Sequence, residues 1–260
     1  MKLSLITVTF NSASTIRDTI ESVLAQTYED YEYLIIDGAS KDGTVDIIKS
    51  YEPLFKGKMK WISEKDKGMY DGINKGIRMA TGDVVGIINS DDFYHRTDIF
   101  SIINKAFEES PSVQSIYGDV RFVRPDNLDK TVRYYSSKNF KPSKFRWGWM
   151  PAHPTFFTYR KNFEKFGCYK VDYKIAADFE LLTRFLRSHA LSSKYVPVDF
   201  MKMRTGGKST SGLKSNWVLN KEIVRACKEN GIYTNMFMLS LKYFVKVFEF
   251  LQTRDSGNRK

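Results

Sequence analysis

Short apolar runs alternate with amphipathic segments along the first part of the chain. Runs rich in β-branched and aromatic residues, each bounded by a polar or glycine-containing turn, predict strands at residues 3–10, 31–36, 60–63 and 84–88. Segments with apolar side chains at helical spacing predict helices at residues 13–26, 45–51 and 70–80. This alternation predicts an α/β fold, in which a mainly parallel, Rossmann-like sheet carries helices on both faces.

The pattern is less regular beyond residue 98. It predicts helices at residues 98–109 and 178–188 and strands at residues 115–123, 155–159 and 195–199. Pro197 lacks the amide hydrogen that a central strand needs, so the strand at 195–199 is expected at a sheet edge. Residues 124–150 are polar and aromatic and predict no clear element.

The C-terminal segment has a helical pattern of its own. Most residues from 236 to 252 are apolar, and the polar stripe consists of Lys242, Lys246, Glu249 and Thr253. We therefore expect residues 211–260 to form a basic, amphipathic helical extension. It could lie in a membrane interface, pack on its own domain or contact a second subunit, and the pattern leaves these three alternatives open.

Size and charge bound the class of protein. The chain has 260 residues, of which 42% are hydrophobic, which suits one large domain or one domain with an extension. The net charge of +11 is uneven, because residues 201–260 hold twelve Lys or Arg against four Asp or Glu, a net of +8. Such an asymmetry predicts an anionic partner, either nucleic acid, a phosphorylated substrate or a membrane surface, although a solvated basic face also explains it.

The sequence predicts no membrane-spanning or secretory segment. No run of eighteen uncharged apolar residues occurs, so no transmembrane helix is predicted. Residues 1–6 enter a strand without the features of a signal peptide. Cys168 and Cys227 are far apart in sequence, and we expect free thiols in a reducing cytoplasm.

Two adjacent carboxylates follow the fourth predicted strand. Asp91 and Asp92 come after Asn89 and Ser90, at the carboxyl end of a run that is typical of a strand buried on both faces. Open α/β sheets bind ligands in the crevice outside such strand ends. Hard oxygen ligands there favour a Mg²⁺ or Mn²⁺ ion that substrate phosphates also hold. In the alternative interpretation, Asp92 caps the next helix and Asp91 is solvated.

The other predicted strands also end in polar side chains. Thr9 and Asn11 close the first strand, Asp37 closes the second, and Asp66 follows the third. Asp37 alone could simply form an Asx-turn with Gly38. If the strands are neighbours, however, these carboxylates repel one another unless a cation or hydrogen-bond donors offset them. Their convergence favours a metal–nucleotide site, while the missing G-x-G-x-x-G after the first strand argues against a dinucleotide dehydrogenase.

Six motifs follow one another in a specific order. They are LITVTFN at 5–11, SVLAQT at 22–27, DGASKDGT at 37–44, SEKDKGMYDGINKG at 63–76, ATGD at 80–83 and NSDD at 89–92. Each motif is weak alone, but with the whole series the chain resembles the family 2 glycosyltransferases of the GT-A fold, and among them short bacterial members that build surface polysaccharides. The resemblance implies a GT-A domain at 1–210, with a nucleotide-binding half at 1–98 and an acceptor-binding half at 99–210.

Carried over to this chain, the resemblance implies roles at the strand ends. Thr9, Asn11 and Asp37 would hold the base and ribose of a nucleotide. Asp66 would line the same pocket, and Asp91 would contact the ribose or a water on the metal. Asp92 would bind the divalent ion that bridges the diphosphate. In many relatives the motif is Asp-x-Asp, and here Ser90 takes its first position.

The resemblance is thinner in the second half of the chain. It implies that Asp178 is the catalytic base, although the acid that precedes this position in many relatives is Ala177 here. Asp178 could instead act as an N-cap or first-turn acid of the helix that follows. The loop RTGGKS at 204–209 resembles a lid in which Arg204 and Lys208 neutralise phosphate charge.

Three further side chains are candidate contacts to phosphate or acceptor. His153 lies in an apolar stretch, where a lone histidine is commonly structural, and the resemblance offers a place near the phosphates or the acceptor. Trp147 and Trp149 could stack on an acceptor sugar or pack as ordinary core.

These implications describe an inverting glycosyltransferase of the hexosyltransferase type. It would move a sugar from a nucleoside-diphosphate sugar to a glycan or lipid-linked acceptor by metal-assisted direct displacement. One candidate base and no clear covalent nucleophile also favour inversion. The expected location is the cytoplasm, with the inner face of the plasma membrane as an option, and the expected process is surface polysaccharide synthesis.

Two alternatives belong to other classes of protein. A sugar-nucleotide nucleotidyltransferase would also use an α/β sheet and Asp-bound Mg²⁺, but it usually carries a glycine-rich basic loop where this chain has residues 11–15. A basic nucleic-acid-binding protein would fit the charge, but no helix-turn-helix, zinc-finger or RNP signature is found.

Overall fold

The computed structural model describes residues 1–206 and 213–241. Their strands are β1 (Leu3–Thr9), β2 (Tyr31–Asp37), β3 (Met59–Ser63), β4 (Val84–Ile87), β5 (Phe93–Tyr94), β6 (Ser115–Arg124), β7 (Asn127–Tyr135), β8 (Phe157–Tyr159) and β9 (Ser193–Arg204). Their helices are α1 (Ile16–Leu24), α2 (Thr44–Tyr51), α3 (Met69–Met79), α4 (Ile99–Glu108), α5 (Arg160–Phe166), α6 (Ala177–Thr183) and α7 (Leu213–Glu229). Residues 236–241 are also helical.

The first four strands form the parallel half of one sheet, in the order β3-β2-β1-β4. Thr9 lies opposite Asp37, and Asp37 lies opposite Ser63. The register therefore brings the last residues of these strands level with one another. The predicted β-α-β order holds here, because β1, β2 and β4 are buried and each connecting helix has one apolar face, while β3 is partly exposed at the sheet edge.

The second half of the sheet mixes strand directions. β8 is antiparallel to both β4 and β6, and β9 is parallel to β6. β4, β6 and β9 therefore all run the same way, and their carboxyl ends face one edge of the sheet. The short β5 pairs antiparallel with β9 at residues 201–202.

Helices cover both faces of the sheet, as predicted. On one face α1, α2 and α4 bury side chains that include Ile20, Ile48 and Phe100. On the other face α3, α5, α6 and α7 bury side chains that include Ile73 and Phe179. Burial of such side chains is the main favourable contribution to the free energy of folding.

Several elements differ from the predictions, and β5 and α5 were not predicted. β7 was not predicted, because its side chains are almost all solvent-exposed and no alternating apolar pattern marks it. The edge-strand prediction for residues 195–199 is confirmed, because this part of β9 pairs with β6 on one side and β5 joins β9 only at residues 201–202. Pro197 is tolerated because it lies at a register shift, where residues 196–198 face Gly118. The predicted helix 178–188 is α6 followed by a π-helical turn at Arg184–Ser188.

The C-terminal part of the described chain packs on α6. α7 buries Ile223, Ala226 and Cys227 in the same apolar cluster as α6. The division into domains at residue 210 remains a prediction, and residues 242–260, with most of the expected amphipathic helix, lie outside the described residues. Within residues 1–206 and 213–241, no helix is both long and apolar enough to cross a bilayer.

Candidate functional site

Asp37 is buried at the tip of β2 and fully engaged by neighbouring hydrogen-bond donors. Its Oδ2 accepts bonds from the Ser40 amide at 2.9 Å and the Ser63 hydroxyl at 2.6 Å, while Oδ1 accepts one from the Ser40 hydroxyl at 2.5 Å. These donors compensate the cost of burying a carboxylate. Next to Asp37, the Thr9 hydroxyl is buried and has no partner within the described residues.

Asn11 shapes the loop after β1. It has a left-handed backbone with φ of 50°, a conformation that Asn tolerates better than most residues. Its Oδ1 accepts a hydrogen bond from the Lys41 amide at 2.9 Å, and its own amide donates to the Ser40 hydroxyl at 2.7 Å. Asn11 therefore ties the loop of β1 to the loop of β2.

A second link reaches the loop of β4. The hydroxyls of Ser12 and Ser90 are 3.0 Å apart and share a hydrogen bond. The tips of β2, β1 and β4 are thus joined into one rim, as predicted from the order of the strands.

Asp66 reaches the same rim from the loop after β3. A Cβ atom on Gly72 would lie 2.7 Å from Val8 and 3.1 Å from the Asp66 carboxylate, so a glycine in α3 permits this close packing. Asp66 Oδ1 is 2.6 Å from Lys75 Nζ, which offsets its charge. The structure therefore brings Thr9, Asn11, Asp37 and Asp66 together, as the sequence predicts.

Asp92 is fully buried beside the half-buried Asp91. Its Oδ2 accepts a hydrogen bond from the Asn89 side-chain amide at 2.8 Å, and its backbone carbonyl accepts one from the Thr19 hydroxyl at 2.7 Å. Burial, and then the negative charge of Asp91, raise the pKa of the Asp92 carboxyl to about 8. Asp92 does not cap α4, whose N-cap residue is Asp98.

The chemistry of this pair fits a divalent cation. The hydrogen bond from Asn89 occupies one of the two carboxylate oxygens of Asp92, and a bound cation would offset both the burial and the charge of Asp91 that raise its pKa. Within residues 1–206 and 213–241, no group of three acidic, His or Cys side chains surrounds a metal position. A Mg²⁺ or Mn²⁺ ion held by Asp92 would therefore need phosphate and water as its other ligands.

Arg204 approaches this pair from the end of β9. Its guanidinium donates to the carbonyl of Asp91, pairs with the carboxylate of Asp18, and lies 5.1 Å from the Phe93 ring centroid. The structure thus places a largely buried positive charge beside the two aspartates, and the contact of Arg204 with phosphate stays a prediction. Lys208, the other predicted phosphate contact, lies outside the described residues.

Asp178 lies in the first turn of α6 and is half-buried. Its Oδ1 accepts a hydrogen bond from the Phe179 amide at 2.7 Å. Asp178 is therefore an acid of the first helical turn and not the N-cap, which is Ala176. Burial raises the pKa of the Asp178 carboxyl to about 6. A carboxyl group with that pKa can accept a proton near neutral pH.

Two tyrosines face Asp178. Tyr70 of α3 and Tyr169 stack with ring centroids 5.9 Å apart, and burial followed by the charge of Asp178 raises the pKa of both above the ordinary range. His153 Nε2 is 2.7 Å from the Tyr169 hydroxyl, and burial lowers its pKa to about 4. His153 is thus a neutral side chain that supports Tyr169. Neither tyrosine was assigned a role from the sequence, although Tyr70 lies inside the motif at 63–76.

The two candidate tryptophans differ in environment. Trp147 is exposed at the end of a 3-10 helix (Pro142–Trp147), and the Arg146 guanidinium lies 5.8 Å from its ring. Trp149 is half-buried, and its amide donates to the carbonyl of Lys144 at 3.3 Å. Trp147 is therefore available for a sugar face, and core packing does not account for it.

Comparisons with known proteins agree with this arrangement. The model of glycosyl transferase family 2 matches residues 4–167, a stretch that holds the strand tips and ends before Asp178 and Arg204. A PGL/p-HBAD biosynthesis glycosyltransferase from Mycobacterium bovis is 26% identical over 222 residues, covering 85% of this chain and 82% of the relative. An uncharacterized glycosyltransferase from Mycobacterium tuberculosis is 32% identical over 184 residues, which cover 70% of this chain and 68% of the relative.

Two solved structures are similar to the chain in fold. S. aureus TarS in complex with UDP-GlcNAc gives a TM-score of 0.64 at 14% identity, and the match covers 87% of this chain and 66% of TarS, just under two thirds. A mannosyltransferase from Pyrobaculum calidifontis in complex with GDP-Man and Mn²⁺ gives a TM-score of 0.62 at 17% identity, and the match covers 95% of this chain and 80% of the mannosyltransferase. These similarities confirm the predicted GT-A fold.

Proposed function

The chain belongs to glycosyl transferase family 2, and we propose that this glycosyltransferase moves a sugar from a nucleoside-diphosphate sugar to an acceptor hydroxyl with inversion at the sugar C1. One observation carries the proposal. The tips of four adjacent parallel strands bring Asp37, Asp66 and Asp92 to one rim. Such a rim suits a nucleotide held partly through a metal ion.

The donor end of the site consists of Asp92 and Arg204. A bound divalent ion supplies stabilisation of the negative charge that grows on the leaving diphosphate. Asp92 would hold that ion, and Arg204 would add positive charge at the same edge. Thr9, whose buried hydroxyl has no partner in the described chain, would donate to or accept from the nucleotide.

Asp178 is the general base in this proposal. An acceptor hydroxyl must lose its proton as it attacks C1, which gains oxocarbenium character as in glycoside hydrolysis. The raised pKa of Asp178, about 6, suits proton transfer near neutral pH. With one base and no covalent nucleophile, the sugar is displaced directly and its configuration inverts.

The acceptor we propose is a growing surface glycan on a lipid carrier, which places the enzyme at the inner face of the plasma membrane. Trp147, Tyr233 and Phe237 are exposed, and the Thr234 hydroxyl donates to the carbonyl of Arg146 at 2.6 Å. The segment that carries Trp147 and the start of the C-terminal segment are therefore neighbours. The net charge of +8 on residues 201–260 favours an anionic lipid surface.

Flotation with vesicles tests the membrane part of this proposal. The full chain should float with vesicles that contain phosphatidylglycerol and stay behind with pure phosphatidylcholine. A chain that lacks residues 236–260 should lose flotation. If the shortened chain floats as well as the full chain, the C-terminal segment is not the anchor.

A thermal-shift panel tests the donor. UDP-GlcNAc, GDP-Man and other nucleotide sugars are compared with and without Mn²⁺, because a ligand that binds only the native state raises the melting temperature. We expect one donor to stabilise the protein more strongly with Mn²⁺, and to yield free nucleoside diphosphate on turnover. Release of inorganic pyrophosphate from a nucleoside triphosphate would instead indicate a nucleotidyltransferase.

A further inference from the structure

The segment that leads into α6 is held by a side chain from α7. The Glu222 carboxylate accepts three backbone hydrogen bonds, from the amide of Lys174 at 2.7 Å and from the amides of Ile175 and Ala176 at 2.9 Å each. Hydrogen bonds from backbone amides to a carboxylate are stronger than bonds between neutral groups. One side chain of the C-terminal part therefore fixes three consecutive peptide groups.

The same segment is held from the opposite side by α3. The Tyr70 hydroxyl donates to the carbonyl of Ile175. Ile175 is therefore held at both ends of its backbone, with its amide bonded to Glu222 and its carbonyl bonded to Tyr70. Asp178 follows three residues later, in the first turn of α6. The orientation of the first turn of α6 relative to residues 174–176 therefore determines the direction of the Asp178 carboxylate.

We propose that Glu222 is a positioning residue that orients Asp178 from α7 and so completes the site. The inference rests on the proposed role of Asp178 as general base. Ala176, the N-cap residue of α6, has no side-chain acceptor to fix the start of the helix. Glu222 instead fixes the three residues that lead into the helix, and it does so from a helix outside the stretch 4–167 that the family model matches.

The charge of Glu222 gives the role a measurable signature. The groups that face Asp178 are Tyr70 from α3, Tyr169 from the loop before α6, and Glu222 from α7; His153 lies behind Tyr169. Both tyrosines are neutral at working pH, so Glu222 is the negative charge among these groups. Burial is the main cause of the raised pKa of Asp178, and the charge of Glu222 adds to it.

α7 also offers a matched control. Glu229 pairs with Lys170 at 2.8 Å and with Arg225 at 2.7 Å, and it accepts a bond from the Tyr173 hydroxyl at 2.9 Å. It helps to attach α7 to the domain but does not touch residues 174–176. Glu229→Gln therefore weakens the attachment of the helix and spares the contact in question.

The experiment compares Glu222→Gln, Glu229→Gln and the unaltered protein. Turnover is followed as nucleoside diphosphate released from the nucleotide sugar selected by the thermal-shift panel. We expect Glu222→Gln to lower kcat by about 10²-fold, the effect of displacing a reacting group by about 1 Å, with little change in the KM for the donor. The acid limb of its pH profile should move to lower pH, because removal of a nearby negative charge lowers the pKa of Asp178.

A ¹³C NMR titration of the Asp178 carboxyl carbon, assigned with Asp178→Asn, gives the same information without substrate. Its midpoint should fall in Glu222→Gln and stay unchanged in Glu229→Gln. The inference is overturned if the two glutamate variants lose turnover equally, or if Glu222→Gln keeps the kcat and the titration midpoint of the unaltered protein. Full activity in Asp178→Asn would overturn the assigned base itself, which separates the two failures.

Discussion

Replacement of Asp92 by Asn should stabilise the protein when no metal ion is present. The amide keeps an oxygen that accepts the hydrogen bond from Asn89, and the bond from Thr19 goes to the backbone carbonyl and is unaffected. What changes is the buried negative charge beside Asp91. Buried charges without a compensating partner lower the free energy of unfolding, so their removal raises it.

The size of the effect follows from the pKa of Asp92, which is about 8 in the folded protein against an ordinary value of 3.8. For an acid whose pKa is raised by folding, stability is fully present below pH 4 and is lost as the pH rises toward 8. At about 1.4 kcal/mol per pH unit, the upper bound is roughly 5–6 kcal/mol. Because local relaxation reduces such penalties, we expect about 1–3 kcal/mol at pH 8.

Thermal unfolding at pH 5 and pH 8 measures this difference. A gain of 1 kcal/mol corresponds to about 2–4 °C for a domain of this size, so Asp92→Asn should melt roughly 2–12 °C higher at pH 8, with a smaller gap at pH 5. Addition of Mn²⁺ with UDP should stabilise only the unaltered protein. Asp129→Asn, a fully exposed carboxylate on β7, is the control and should change little. If Asp92→Asn melts at a lower temperature than the unaltered protein at pH 8, the reasoning is refuted.

Three further predictions concern turnover and donor binding. Asp178→Asn should lower turnover by about 10²–10⁴-fold while donor-induced thermal stabilisation survives, and unchanged turnover would remove Asp178 from its role. Turnover of the unaltered protein should rise with pH through about 6, where Asp178 loses its proton; a flat profile between pH 5 and 7 would contradict the assigned base. Arg204→Ala should weaken donor binding by about 1.5–3 kcal/mol in calorimetry, and Lys202→Ala on the same strand should not.

The fold of residues 1–98 was predictable because its signals are local. β1, β2 and β4 are short buried runs, and polar side chains lie at or within a few residues of the strand ends, as with Asp37 and Asp92. Four parallel neighbours then place these tips on one edge, whatever the details of the loops. The predicted boundaries differ from the observed ones by a few residues, as at α1 (Ile16–Leu24), where the expected helix ran from 13 to 26.

The part of the chain beyond residue 98 was less predictable, because its contacts join residues that are far apart in sequence. β7 has exposed side chains and no apolar alternation, so only its pairing with β6 identifies it. The contact of Glu222 with residues 174–176 spans more than 45 residues and depends on how α7 packs, which no local pattern encodes. The serines that hold Asp37 were also missed, since a serine in a turn rarely signals its partner.

A crystal soaked with Mn²⁺ and the selected nucleotide sugar tests the central claim most directly. Anomalous scattering locates the ion without reference to any model of the ligand. We expect a single manganese peak within about 2.5 Å of an Asp92 oxygen, with the diphosphate beside Arg204 and the base next to Asp37. A nucleotide bound elsewhere, with no ion at Asp92, would contradict the account.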